Sequence, residues 1–371
     1  MPKKITLVIN TLGCGGAERV CMLLANDFAD KGHEISVIIF SMENAHYTLN
    51  SNVNVFDLGR RSSWDVLRTC YRLRQTVKKL EPDIILTFMT NVTYYLMLSL
   101  IALRNKPRIF ATMHIHHSTG FGTYFKLFNR CFFKKIMLKC EKLICCSQDM
   151  NDDLCSFYSF PTQKVLTINN PVDIELCQKK AHEECDHEFY KEGKPVLLAV
   201  GSLCQQKNYP LMLEAVAKIQ REREVRLIIL GDGPLKSELE IVRDKLGLDG
   251  VVDFVGNVLN PFAYMKDAKL YIMSSIFEGF PMVLLEAMAC KLPVICTNCP
   301  SGPRELIKNN KTGILVPMDS ADELSAAITN ALDHYNTMLV MSENAAENVK
   351  NKYNIDSISD KYLAILETII D

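Results

Sequence analysis

The sequence predicts an α/β protein of two doubly wound parallel-sheet domains facing a central cleft, and three observations point there. β-Branched apolar runs alternate with amphipathic helical stretches along nearly the whole chain. The alternation breaks at residues 178–194, "QKKAHEECDHEFYKEGK", which are dense in charge and poor in core residues, and then restarts. The length of 371 residues is about that of two domains.

In order, "KKITLVIN" predicts a strand that ends in a glycine-rich turn, "TLGCGGAE". A helix, "RVCMLLANDFADKG", and a strand, "HEISVIIF", follow, completing a βαβ unit of Rossmann-like type. Further strands are expected at "DIILTF", "RIFATMH", "KLICCS" and "KVLTINN". The second half opens with strand "PVLLAVGSL" and helix "YPLMLEAVAKI", then strand "VRLIILGDGP" and the charged helix "LKSELEIVRDKLG". Strands "VVDFVG", "KLYIMSS" and "PVICTN" alternate with helices to about residue 335. The expected domains are 1–177 and 195–354, joined by a linker or exposed hairpin at 178–194, with a final helix in 355–371 returning to the first.

Apolar residues make up 48% and charged residues 23%, as in a soluble globular protein with a sizeable core. Net charge is −1, yet residues 1–170 hold 21 Lys+Arg against 13 Asp+Glu while the remainder holds 21 against 30. The basic first half is suited to an anionic partner. The apolar run in "MPKKITLVIN" is too brief for a signal peptide. The uncharged stretch 84–103 is about long enough to cross a bilayer, but its threonines, Asn91 and central tyrosines favour strand, loop and buried helix. Without an export signal, the 14 cysteines read as reduced thiols. Only Cys296 and Cys299 have C-x-x-C spacing, with no second pair to complete a zinc site.

Several residues are placed for chemistry. Gly13-Cys14-Gly15-Gly16-Ala17-Glu18 nearly fits the dinucleotide glycine pattern, but Glu18 stands at its last position and no acidic residue ends the next strand. Nicotinamide binding is therefore not expected; the loop is either an anion site before a helix or a tight turn. His114 falls just past a strand end, suited to a polar contact with substrate, whereas His116 and His117 read equally as a solvated loop. Ser202 follows a strand glycine, and Lys207 falls at a helix start where a phosphate would be held. Glu278-Gly279-Phe280 turns out of a buried strand, and Pro281 suits the first position of a new helix. The amides of Met282, Val283 and Leu284 would then lack partners, and Glu286 lies about a turn and a half beyond Pro281; the alternative is that Glu278 and Glu286 only cap or pair with lysines.

Glu278, seven intervening residues and Glu286, in "FEGFPMVLLEAMA", resemble the signature of the retaining family-four glycosyltransferases of the GT-B fold. The resemblance runs through "GCGGAE", "VGSLCQQKNY", "ILGDGP", "CPSGPREL" and "TGILVP". With "GGAERV" and "SGPREL" the chain looks most like bacterial pgl-type N-acetylgalactosaminyltransferases, which extend polyprenyl-diphosphate-linked glycans.

The resemblance implies a UDP-sugar donor and no further cofactor. Glu286 would take the ribose hydroxyls, and Lys207 with residues 281–284 the diphosphate. Glu278, with the amides of Phe280 and Met282, and His114 would contact the donor sugar, and Gly15 and Gly16 would close over the phosphates. The family often has Arg where this chain has Ser202, which weakens the clamp unless Arg304 compensates. No D-x-D motif stands out, so metal-independent chemistry is expected.

Residues 125–142, "FKLFNRCFFKKIMLKCEK", read equally as a basic amphipathic surface or as a buried helix with a solvated basic edge; in the first reading Arg68, Arg72, Arg74, Lys78 and Lys79 add charge. They imply a cytoplasmic enzyme attached to the inner face of the cell membrane, where the lipid-linked acceptor is presented. Nucleic acid is not an expected partner. A UDP-sugar epimerase of the same fold and a non-catalytic nucleotide-sugar-binding module are the alternatives.

Overall fold

The computed structural model describes residues 2–43, 47–62, 64–101, 103, 105–115 and 132–367. It comprises two compact units, Met1–Pro171 with Ile355–Asp371, and Val172–Asn354.

The first unit is built on seven strands: β1 (Lys4–Ile9), β2 (Glu34–Ile39), β3 (Asn54–Asp57), β4 (Ile84–Phe88), β5 (Arg108–Met113), β6 (Lys142–Cys145) and β7 (Val165–Thr167). They form one parallel sheet in the order β3-β2-β1-β4-β5-β6-β7. The first residues of β1 and β2 are exposed and the next five of each are buried without alternation, as strands covered on both faces must be. Helix α1 (Gly16–Asp30) buries Val20, Leu23, Leu24 and Phe28, which recur at helical spacing. Gly32, at φ 90°, turns the chain out of α1 in a conformation that a side chain would oppose.

The stretch 84–103 divides into β4 and helix α3 (Thr90–Ser99). Among the described residues no helix is long and apolar enough to cross a membrane. The last helix, Ile355–Glu367, belongs to this unit and lies on α1. There Lys31 Nζ reaches Asp360 Oδ1 at 2.7 Å and Ser359 Oγ at 3.0 Å.

The second unit holds β8 (Val196–Val200), β9 (Arg226–Leu230), β10 (Val252–Gly256), β11 (Leu270–Met273), β12 (Val294–Thr297) and β13 (Ile314–Val316), parallel in the order β10-β9-β8-β11-β12-β13. Its core joins Leu197, Leu227 and Ile229 of the sheet to Leu213 and Val216 of helix Tyr209–Ile219 and to Leu324 and Ile328 of helix Ala321–Asp333. Each such side chain contributes roughly 1.5–3 kcal/mol by leaving water.

Residues 178–194 are not a linker. They belong to the second unit, and helices Ile174–Ala181 and Glu188–Lys191 run through them. Tyr190 Oη donates to the Tyr264 carbonyl at 2.7 Å, His187 Nε2 lies 3.1 Å from Asp253 Oδ2, and Glu192 pairs with Arg226 at 2.6 Å. The charge density that reads as solvated chain supplies these partners.

Both sheets reverse their winding once, between β1 and β4 and between β8 and β11. Ligands of open parallel sheets sit at the carboxyl ends of the strands beside such a reversal. The loops after β1, β4, β8 and β11 are therefore the candidate functional edges.

Candidate active site

In the second unit the loop after β8 meets the loop after β11. Residues Gln205–Lys207 form one 3-10 turn, and Lys207 precedes the helix Tyr209–Ile219 rather than opening it. The Gln206 carbonyl accepts from the Ile276 N–H at 2.9 Å, and Ser274 Oγ donates to the Lys207 carbonyl at 2.7 Å. These bonds hold the two loops edge to edge and bring Lys207 Nζ to 2.6 Å from Glu278 Oε1.

The pair is shielded, with the side chains 16% and 7% exposed. The carboxylate also accepts from Ser275 Oγ at 2.7 Å on Oε1 and from Gln206 Nε2 at 3.3 Å on Oε2. A carboxylate offers about four lone-pair sites and an ammonium three N–H donors. Three of the former and one of the latter are used here among the described residues, so Oε2 can take one further donor and Nζ can serve two further acceptors.

Glycines let these loops approach. A methyl group at Gly231 would stand 2.2 Å from the Gly201 carbonyl oxygen, so the "LGDGP" turn lies backbone against backbone on the Gly201–Ser202 loop. A methyl at Gly302 would stand 2.2 Å from Pro281 Cδ, and the Gly302 N–H donates to the Gly279 carbonyl at 2.9 Å. The "CPSGPREL" segment thereby fixes the turn that carries Glu278.

Pro281 is the residue before the helix Met282–Ala289, not its first residue; at φ −70° and ψ 115° it is extended. Its carbonyl accepts the Leu285 N–H at 3.3 Å, so the amides of Met282, Val283 and Leu284 have no acceptor within the helix. The one-residue shift keeps the three open amides that the sequence predicts. Glu286 is 2% exposed on this helix, Phe280 is buried and Ser202 is exposed.

The first unit presents a different edge. His114 directly follows β5, and Phe88 stacks on its ring at 5.8 Å with an 18° tilt. Its Nε2 lies 2.8 Å from Thr112 Oγ1. Desolvation pushes its pKa down to about 4, so the ring is neutral near pH 7.

Gly15 caps α1 and Gly16 begins it, both exposed. The Glu18 carboxyl lies over Gly15, where an added methyl would meet its Oε2 at 2.2 Å, and burial raises its pKa. An anion entering this loop meets that group as well as the open amides.

His116 and His117 lie outside the described residues. Cys296 and Cys299 are both fully buried, and desolvation pushes Cys299 up to about 12, the condition of an inert thiol. Among the described residues no group of three or more metal-ligating side chains gathers.

Gln206, Ser274 and Ser275 escape sequence reading because their role depends on which loop lies opposite. The only available hint is position, each being within four residues of Lys207 or Glu278 in the loop after β8 or β11.

Comparison with known proteins bears on the family and the fold. The family described as "Glycosyl transferases group 1" matches residues 183–348, and "Glycosyltransferase Family 4" matches residues 14–176. From Campylobacter jejuni, a GalNAc-alpha-(1->4)-GalNAc-alpha-(1->3)-diNAcBac-PP-undecaprenol alpha-1,4-N-acetyl-D-galactosaminyltransferase is 28% identical, over 99% of both chains. A second enzyme of that organism, N-acetylgalactosamine-N,N'-diacetylbacillosaminyl-diphospho-undecaprenol 4-alpha-N-acetylgalactosaminyltransferase, is 26% identical over 89% of this chain and 90% of its own. Among solved structures, Anabaena HepE in complex with UDP and glucose superposes with a TM-score of 0.84 at 19% identity, covering 99% of this chain and 100% of that one.

Proposed function

The chain belongs to the glycosyltransferases of group 1 and family 4, with the GT-B fold, and from that premise we propose that it transfers an N-acetylhexosamine, such as GalNAc, from a UDP-sugar to a lipid-linked oligosaccharide with retention of configuration. The observation that carries the donor half is the buried Lys207–Glu278 pair on the reversal edge of the second sheet, beside three open helix amides. UDP in the HepE structure and the undecaprenol-diphosphate glycans of the Campylobacter relatives support the two substrate classes.

In this reading Lys207 keeps one N–H on Glu278 and turns the others to the diphosphate. It stabilises the charge that develops as the sugar–phosphate bond breaks, with the amides of Met282, Val283 and Leu284 adding dipoles of the same sense. Glu278 holds a donor-sugar hydroxyl through its remaining Oε2 lone pair, beside the Phe280 and Met282 backbone. Glu286 takes the ribose, and His114 accepts from the sugar near the reacting carbon. The acceptor hydroxyl attacks from the face that UDP leaves, and its proton passes to the departing diphosphate oxygen.

Attachment to the inner face of the membrane is part of the proposal. Residues 125–131 of the expected basic segment lie outside the described residues. Of the remainder, Phe133 and Ile136 are buried and Lys134 donates to the Ser159 carbonyl at 2.6 Å. Helix α2 (Val66–Leu80) supports attachment better. Trp64, Leu67 and Tyr71 are 92%, 87% and 63% exposed at helical spacing, with Arg68, Lys78 and Lys79 exposed around them. Arg72 and Arg74 do not join that face, since they donate to the Leu58 and Ser99 carbonyls.

The test is a panel of UDP-sugars with a polyprenyl-diphosphate disaccharide, read by mass spectrometry. One added N-acetylhexosamine is expected. Release of an altered free sugar without acceptor would identify an epimerase, and UDP affinity without turnover a binding module. Flotation with anionic vesicles tests attachment: Trp64→Ala with Leu67→Ala is expected to lose at least tenfold in binding, and unchanged flotation counts against α2.

A further inference from the structure

What His114 can recognise depends on which ring nitrogen holds its proton. A neutral imidazole donates from one nitrogen and accepts at the other. Nε2 faces Thr112 Oγ1 at 2.8 Å, and Thr112 is 1% exposed. A hydroxyl has a single proton, and that of Thr112 is directed at the main-chain oxygen of Thr87, 3.0 Å away on the neighbouring strand. With its proton used there, Oγ1 offers His114 only lone pairs, so Nε2 carries the N–H and Nδ1 is left with a lone pair. The Phe88 stack holds the plane of the ring. Among the described residues no other hydrogen bond reaches that ring.

We propose that Thr112 is a positioning residue that locks His114 as its Nε2–H tautomer, so that His114 meets the donor sugar as a hydrogen-bond acceptor and selects a hydroxyl or amide N–H at that point. The sugar-facing half rests on the donor reading given above; the tautomer does not. His114 is then no proton donor to the leaving diphosphate. A carbonyl or ether oxygen set against Nδ1 is disfavoured, because two acceptors would face one another.

The tautomer is read directly by two-bond proton–nitrogen correlation on the full chain labelled with 15N-histidine at pH 7. The His114 signals are identified by their loss in His114→Asn. A protonated Nε2 and bare Nδ1 are expected, unchanged in Thr112→Ser and converted to the other form or a mixture in Thr112→Val. An Nδ1–H ring in the unaltered protein overturns the proposal, and so does a Thr112→Val protein that keeps the Nε2–H form undiminished.

Calorimetric titration with UDP-N-acetylgalactosamine and with UDP tests the second half. Thr112→Val is expected to bind the UDP-sugar about tenfold more weakly, the scale of one hydrogen bond, with UDP affinity unchanged and Thr112→Ser restoring the sugar term. Equal weakening of both ligands, or of neither, overturns the sugar contact. A protein with the expected tautomer that binds no UDP-sugar overturns the sugar contact together with the donor reading, while Thr112 remains the lock on the ring.

Discussion

The two units share one winding and present opposite chemistries at the same edge. After β8 and β11 the second unit gathers Lys207 and Glu278 as a shielded ion pair, with Gln206 and Ser275 completing the carboxylate. After β1, β4 and β5 the first unit offers Asn10 bonded to Asn91 at 3.2 Å and a neutral His114, braced from within by the buried Thr112. A charge held out of water needs charged or strongly dipolar partners, so the second unit's edge suits an ionic ligand such as a diphosphate. The first unit's edge, built of neutral donors and acceptors, suits hydroxyls. One fold thus offers two recognition chemistries through its loops.

The contrast can be broken at its charged end. Lys207→Ala and Glu278→Gln are each expected to lower transfer by about 10²–10³-fold, the scale of removing a preorganised electrostatic group. Glu278→Ala is expected to cost roughly 3–5 kcal/mol of stability as well, since it leaves the shielded ammonium alone. Urea unfolding checks that cost, and the double substitution should recover part of it; strict additivity would mean that the pair is not coupled.

Backbone approach comes next in size. Gly231→Val should destabilise by about 2–4 kcal/mol, because the Gly201 carbonyl it would strike is main chain and cannot rotate away. Unfolding midpoints within error of the unaltered protein would show that the loops can separate.

At the neutral end the effect depends on pH. His114 titrates near 4 in the folded chain and near 6.5 unfolded, so the unfolded chain binds its proton first as pH falls. Its contribution to stability is complete above about pH 6.5 and is lost as pH falls toward 4, by up to about 3 kcal/mol. The stability difference between the unaltered protein and His114→Asn, measured at pH 7 and pH 4.5, should shift in that sense. A difference that does not change with pH would mean that the ring is hydrated.

The smallest effect is expected at Gln206→Ala, about tenfold in transfer, as one hydrogen bond to Glu278 is lost. It sharpens the contrast by asking whether the carboxylate needs its third partner.

Most strands were legible in advance because strands covered on both faces are continuous apolar runs, as β1, β4, β8 and β9 are. The edge strand β3, with mostly exposed residues, and the three-residue β13 carried no such run. The charged stretch 178–194 misled because composition cannot tell a solvated charge from one that has found Asp253 or Arg226. His114 could be placed because it directly follows β5, and Lys207 and Glu278 because they fall in the loops after β8 and β11.

The sequence by itself determined the strands and helices, the restart of the pattern and the residue types waiting at each strand end. Local periodicity and turn chemistry act over a few residues, so they are written locally. The tertiary structure alone decided that β8 lies beside β11 and β1 beside β4, and therefore that Lys207 meets Glu278 across 71 residues of chain. It alone decided that a threonine proton, spent on a neighbouring strand, settles which nitrogen of His114 is free. Strand order and hydrogen-bond direction depend on what lies alongside, and no local pattern encodes a neighbour.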